Sequence, residues 1–305
     1  TRSLHLWTMN AINPAVFLGL GPCTLDGVTY AVCSATTTTD ARRILSLERP
    51  RDGDKIGSLG EMDDGGRQYY HGFLLSLERR AARGLNFSAN YTLSHCIGPY
   101  SAGGQILKLA PDATGNKPND RDFDQGNCDS DRRQLLNLTA LAQTPQFSNS
   151  TLRLLASSWK FSGIYRFASG QPLTIVGGTD RALTGVVVTG QRPNQILATG
   201  YKDTSGDPLS QWLNIAAYAQ PDLGTYGNVG RNSVRGPITW SMDAAMSRSF
   251  NLHETQKLEI RAEAFNLTNS FIPGNPNTTI SSNTFGQLRT AAPPRIMQFA
   301  LKYVF

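Results

Sequence analysis

The 305-residue sequence has no run of 18 consecutive apolar residues. A membrane-spanning helix is therefore not expected. That absence leaves a transmembrane β-strand open, because such a strand needs only about 9–11 residues and has a much weaker hydropathy signal. Charge is scarce, at 17% against roughly a quarter in ordinary domains. Apolar residues, at 39%, also fall below the usual ~45–50%. Ser, Thr, Asn, Gln and Gly fill the gap, which suits strands joined by long polar loops. Net charge is +6, but the basic residues are dispersed, with short clusters such as LERR and DRRQ. Nucleic-acid binding needs a localised basic footprint, so it is not expected.

Motifs of chemistry are missing as well. There is no Cys-x-x-Cys, and the four histidines (5, 71, 95, 253) are scattered, which argues against zinc. There is no Gly-x-Ser-x-Gly. His95 beside Ser94 is the one hint of a hydrolytic pair, and a satisfied loop histidine accounts for it better. No enzyme activity and no cofactor are expected. No signal peptide opens the chain, which begins mid-pattern at TRSLHLW. The expectation is a fragment lacking its N-terminal part, with residues 1–305 a single unit.

What is present is alternation. Met297, Phe299, Leu301, Tyr303 and Phe305 fall at every second position of the C-terminal segment, against Gln298, Ala300 and Lys302. ITWSMDAAMSRSF sets Ile238, Trp240, Met242, Ala244, Met246 and Phe250 against Thr239, Ser241, Asp243, Ser247 and Ser249. KLEIRAEAF and LNFSANYTLSH do the same. Period two marks a strand with two different faces. Eight strands are predicted, over 2–9, 67–80, 85–96, 132–143, 151–168, 238–250, 256–270 and 294–305. The connections alternate: 81–84, 144–150 and 251–255 are short, while 10–65, 97–131, 169–236 and 271–292 are long. An outer-membrane barrel has short periplasmic turns and long extracellular loops. The expected fold is therefore all-β, an antiparallel up-and-down transmembrane barrel with its last strand running down to the periplasm. Glu78, Arg166, Asp243, Glu259, Arg261, Glu263 and Lys302 are then expected to face the lumen, as cross-strand charge pairs or wall contacts.

The four cysteines, Cys23, Cys33, Cys96 and Cys128, all fall at or beyond the long-loop ends of predicted strands. An even count in an oxidising compartment reads as disulfides, and four cysteines allow three pairings. Order and loop membership favour Cys23–Cys33 with Cys96–Cys128. The acidic stretch DRDFDQGNCDSD places Asp120, Asp122, Asp124 and Asp131 near calcium-loop positions, with Gly126 one place late and Asp in the final position. A solvated loop is the plainer reading, and no metal site is expected. Of six Asn-x-Ser/Thr sequons, four lie inside predicted strands, where a glycan acceptor does not belong.

The terminal alternation ending in Phe305 resembles the assembly signal of outer-membrane barrels. TYGNVGRNSVRGP (225–237), MDAAMSRSFNLHETQKLEIRAEAFNLTNS and FGQLRTAAPPRIMQFALKYVF resemble the C-terminal end of TonB-dependent outer-membrane receptors. The similarity is to the subfamily with a carboxypeptidase-regulatory-like N-terminal domain. FSGIYRFASGQPLTI, SLERRAARGLNFSANYTLSHCI and HLWTMNAINPA are similar to upstream parts of the same barrel. The resemblance implies a barrel of about 22 strands around a plug. It implies as partners the outer-membrane lipid, the barrel-assembly machinery, and a plug coupled to an inner-membrane energy-transducing complex. The substrate class stays open among siderophore, oligosaccharide and peptide. Eight strands cannot supply a whole receptor, and the plug and N-terminal domain are expected to be absent. Two rival readings stand beside this one: a secreted soluble β-domain that binds glycans or protein, and a small outer-membrane barrel enzyme.

Overall fold

The computed structural model describes residues 2–82, 84–99, 117–186, 190–203, 211–253 and 256–305. The elements in chain order begin with β1 (Arg2–Ala11), the small hairpin β2 (Cys23–Leu25) and β3 (Val28–Tyr30), and the short helices α1 (Ile44–Glu48) and α2 (Pro50–Gly53). β4 (Gly60–Ala82), β5 (Leu85–Gly98), β6 (Gly126–Asn127) and β7 (Gln134–Gln143) follow. Next come α3 (Ser150–Ala156), β8 (Trp159–Ala168), β9 (Pro172–Leu173), β10 (Asn194–Gln195), β11 (Tyr218–Ala219) and β12 (Val234–Arg235). β13 (Thr239–His253), β14 (Gln256–Phe265) and β15 (Ile296–Val304) close the chain.

The long strands form one antiparallel meander in the order β1-β4-β5-β7-β8-β13-β14-β15, with two-residue β6 paired to β5. Each long strand pairs with its sequence neighbours, as an up-and-down sheet requires. No pairing joins β1 to β15 among the described residues, so the sheet is open and not a closed barrel. β15 is exposed along its whole length, with Phe299 at 76%, and Phe305 just beyond it is 90% exposed.

The register fixes two faces. Leu77, Ala89, Leu138 and Tyr165 follow one another across β4, β5, β7 and β8. Further along, Phe161, Met246, Ala262 and Phe299 continue the same face. The other face carries Glu78, Ser88 and Thr139, then Ser247, Arg261 and Ala300. The alternation read from the sequence is thus a real division of the wall.

Two predicted strands are shorter than expected. The segment predicted as strand 151–168 begins with α3, because the Asn149 side chain accepts from Thr151 N (3.0 Å) and Leu152 N (3.2 Å) and caps a helix. Ser158, at φ 62°, then turns the chain into β8. The strand predicted to reach residue 270 stops at Phe265. Asn266 and Asn269 take φ of 50° and 52°, and the Asn266 side chain closes a turn on Ser270 N and O, both at 2.9 Å. A left-handed residue ends a strand, and Asn tolerates that region well.

The main buried hydrophobic cluster lies outside the wall. Ile175, Leu213, Ala217, Tyr218, Val229, Val234 and Phe285 form it, with Leu173, Trp212 and Ile280 packed alongside. All come from the long connections 169–238 and 266–295, so the loops are a folded layer at one end of the sheet.

Candidate functional site

The loop layer carries the main buried hydrophobic cluster of the described residues and several buried charged groups. Backbone bonds stitch its parts together. Val176 N donates to Thr278 O (3.0 Å), Ile280 N to Val176 O (2.9 Å) and Trp212 N to Gly286 O (2.6 Å). The first long connection joins through Ala15 N to Thr184 O at 2.9 Å. Arg42, fully buried, seals that joint: Nη1 donates to Val16 O (2.5 Å) and Nη2 to Ala35 O (3.0 Å) and Leu183 O (2.9 Å). Burial lowers its pKa, and Asp180 partly opposes that. A guanidinium stays charged throughout, so it needs these carbonyl acceptors.

The second connection is held to the third by three arginine–aspartate pairs. Arg192 Nη1 donates to Asp124 at 2.6 Å, with both side chains buried. Its guanidinium also lies over the Phe123 ring, 4.0 Å from the centroid. Arg231 Nη2 donates to Asp129 at 2.6 Å, and Nη1 to the carbonyl of Pro99 at 3.1 Å. Arg235 pairs with Asp131, whose carboxylate also accepts from Cys96 N at 2.8 Å. Burial lowers the Arg192 pKa, and Asp124 opposes this. In each pair one charge neutralises a buried one, the Arg192 and Arg231 guanidiniums in two of them and the Asp131 carboxylate in the third.

That pairing shows how the calcium-candidate carboxylates are used in this structure. Asp120 bonds Lys117 (2.8 Å) and caps Phe123 N (3.1 Å), while Asp124 and Asp131 face different arginines. With Asp122, the four carboxylates do not converge, and among the described residues no cluster of three metal-type ligands occurs. The two disulfides are Cys23–Cys33 (Cα–Cα 5.2 Å) and Cys96–Cys128 (5.4 Å), as sequence order favoured. The first closes the β2–β3 hairpin, and the second ties β5 to the acidic stretch. Ser94 and His95, adjacent on β5, point to opposite faces. Ser94 Oγ donates to Arg132 O (3.0 Å), and His95 Nε2 meets Asn127 Oδ1 (3.1 Å), so they form no dyad.

All seven predicted wall charges share the polar face by register. Arg166 donates to Asp243 at 2.8 Å across β8 and β13, and Arg261 pairs with Glu263 along β14. Glu259 stands opposite Lys302, and Glu78 accepts from Arg80 at 2.9 Å. Met297, Phe299, Leu301 and Tyr303 share the apolar face opposite Ala264, Ala262, Ile260 and Leu258. Tyr303 and Phe305 rings lie 6.0 Å apart at its end.

Sequence reasoning missed the guanidinium clamps. Arg231 and Arg235 sit four apart in GRNSVRGP, and Asp129 and Asp131 two apart beside Cys128. More than 100 residues separate the partners, at 102 and 104 positions. The available signal was the disulfide end itself, since a carboxylate beside it needs a cation when buried.

With the two-faced wall and the loop layer defined, a family model described as an outer membrane beta barrel domain matches residues 1–298. The chain belongs to the outer membrane beta barrel domain family. No curated protein and no solved structure matches it. The family places this barrel-type chain in the outer membrane. A wall that leaves Phe73, Leu75, Leu77, Phe299 and Leu301 more than half exposed is physically reasonable only against an apolar solvent.

Proposed function

We propose that this outer-membrane chain forms closing strands of a TonB-dependent receptor, and that its loop layer is the outward surface that captures a nutrient. The observation that carries the reading is the loop layer with its own core and clamped charges, raised on one end of a two-faced wall. The motif resemblance of GRNSVRGP and the terminal PRIMQFALKYVF supports the receptor class. In this reading the apolar face meets lipid and the Arg166–Asp243 face lines the interior. Bare strand edges are not tolerated in lipid, so β1 and β15 pair with further strands of the same barrel. The plug and the energy-transducing complex act through the rest of the receptor. The reading assigns no catalysis and no resident cofactor, and the nutrient is a siderophore, oligosaccharide or peptide.

Uptake in cells carrying the full receptor tests it. Accumulation of one of those nutrient classes should depend on the receptor, should stop when a protonophore collapses the inner-membrane gradient, and should be lost when residues 211–217 are replaced by a Gly/Ser linker. Accumulation that persists without the gradient, or receptor-independent uptake for all three classes, counts against the proposal.

A further inference from the structure

The apolar face of the wall is not even. Ala140, Gly163, Ala244, Ala262 and Ala264 form a sunken floor, with Phe161, Met242 and Met297 standing round it. A second depression, lined by Trp159, Ile260, Phe299 and Leu301, shares Met246 and Ala262 with the first. The two make one trough, with volumes of about 440 and 350 Å³. From Met242 to Arg248 it spans roughly 20 Å at the usual strand rise. That is comparable with one leaflet, half of the roughly 30 Å hydrocarbon core.

At its short-turn end the trough meets cations. Arg248 lies on the apolar face opposite Ile260 and is buried. Its guanidinium sits 4.6 Å from the Phe250 ring centroid and 5.5 Å from that of Trp159. Nη1 and Nη2 donate to the carbonyls of Leu155 and Arg153, both at 3.2 Å, while Nε has no partner among the described residues. Arg153 stands exposed on α3, and Leu152, Leu154 and Leu155 of that helix are exposed beside it. Glu263 and Arg261 also line the two depressions, although by register their side chains, like those of Asp243 and Glu259, belong to the opposite face. An arginine on the lipid face costs about 2–4 kcal/mol at mid-membrane and less near an interface. Arg153 Nε and Nη2 donate to the carbonyls of Phe147 and Ser148, both at 3.1 Å, which holds its guanidinium at the short turn before α3. A buried cation at the end of an apolar trough, with a second cation and an apolar helix at the rim, complements one class of molecule.

We propose that the trough is a binding site for an anionic phospholipid of the periplasmic leaflet. One acyl chain lies along the alanine floor. The phosphate sits on Arg153 and the edge of Arg248, as guanidinium–phosphate recognition favours. This rests on the orientation given above, with the apolar face toward lipid and the short turns toward the periplasm.

Native mass spectrometry of the full receptor carrying this chain, reconstituted with equal phosphatidylglycerol and phosphatidylcholine, tests it. Phosphatidylglycerol should be retained over phosphatidylcholine by about ten-fold, and Ala262→Phe should lower retention by about ten-fold. Ala244→Leu fills the same floor with a smaller side chain and should act likewise if the phenylalanine variant does not insert. Arg153→Gln, on an exposed side chain, should cut the headgroup preference to about three-fold or less. Equal retention in parent and filled variants, no headgroup preference, or a second copy of the chain bound in place of lipid overturns the site. Spin labels at Leu75 and Leu77, away from the trough, separate the two ideas. If apolar oxygen reaches them and no lipid is retained, only the site fails. If oxygen does not reach them, the orientation fails with it.

Discussion

The strand wall and the loop layer are built on opposite principles. In the wall, strands touch only their sequence neighbours, and large apolar side chains such as Leu77 and Leu301 remain more than half exposed. In the loop layer, Arg42, Ile175, Leu213, Val229 and Pro193 are all but fully buried, and charged groups are neutralised inside. The wall takes its apolar surroundings from the bilayer. The loops stand in water, so they must carry a core of their own, and they add two disulfides and three arginine–aspartate links, each with at least one buried partner. Stability in the two regions should therefore answer to different perturbations.

The largest effect should come from removing a buried, paired charge in the loops. Arg192→Ala deletes the buried guanidinium that pairs with Asp124 and stacks on Phe123 and should cost about 3–5 kcal/mol. Hydrogen exchange should rise in 117–131 and 190–203 while β13 and β14 stay protected. Exchange spreading equally through the wall would erase the distinction drawn here. The wall has its own critical change: Ala262→Arg should cost about 2–4 kcal/mol in lipid. Arg261→Ala, on the polar face, should cost only about 0.2–1 kcal/mol. Denaturant titration of the lipid-reconstituted receptor carrying this chain measures both, and equal costs would mean that the faces are misassigned. Replacing Cys96 and Cys128 together by Ser should cost about 2–4 kcal/mol. The loss should appear in limited proteolysis of the loops, leaving the strand core of the wall intact.

The wall was legible because a period of two survives in sequence wherever each face has a different solvent. The loop layer was not, because its pairs join distant residues with no local pattern. Asp129 and Asp131 look like solvated acids until Arg231 and Arg235 arrive from 102 and 104 residues away. α3 was missed for a different reason. TLRLLASSWK continues the leucine alternation into Trp159, and only the Asn149 cap and the left-handed Ser158 reveal a helix followed by a turn. Arg248 was passed over within an otherwise apolar series, and its partners, the carbonyls of α3, exist only once that helix forms. The cysteine pairing was readable from order and loop membership because each pair belongs to a single long connection.

The smallest effect concerns alkali and sharpens the contrast further. Tyr218 and Tyr226 belong to the loop layer, and burial pushes each phenol up to about 12. The Tyr226 hydroxyl lies 3.3 Å from Thr184 Oγ1, which can donate to the phenolate and so pulls the other way, while Asp180 and Asp124 reinforce the rise. The Tyr218 hydroxyl has no partner among the described residues, and Tyr201 adds to its shift. In the unfolded chain both phenols ionise near 10. The folded pKa is the higher, so folding is favoured in full below pH ~10, and that contribution fades as pH rises through about 12. Phenolate absorbance should therefore include a late-titrating component, and loop-layer exchange should quicken between pH ~10 and 12 while wall exchange, corrected for its intrinsic pH dependence, holds. Tyr218→Phe removes one ionisable group and a hydroxyl with no partner. It should raise loop stability in that window without changing it at pH 7 by more than about 1 kcal/mol. If the variant loosens the layer at pH 7, the hydroxyl is bonded and the account of its raised pKa is wrong.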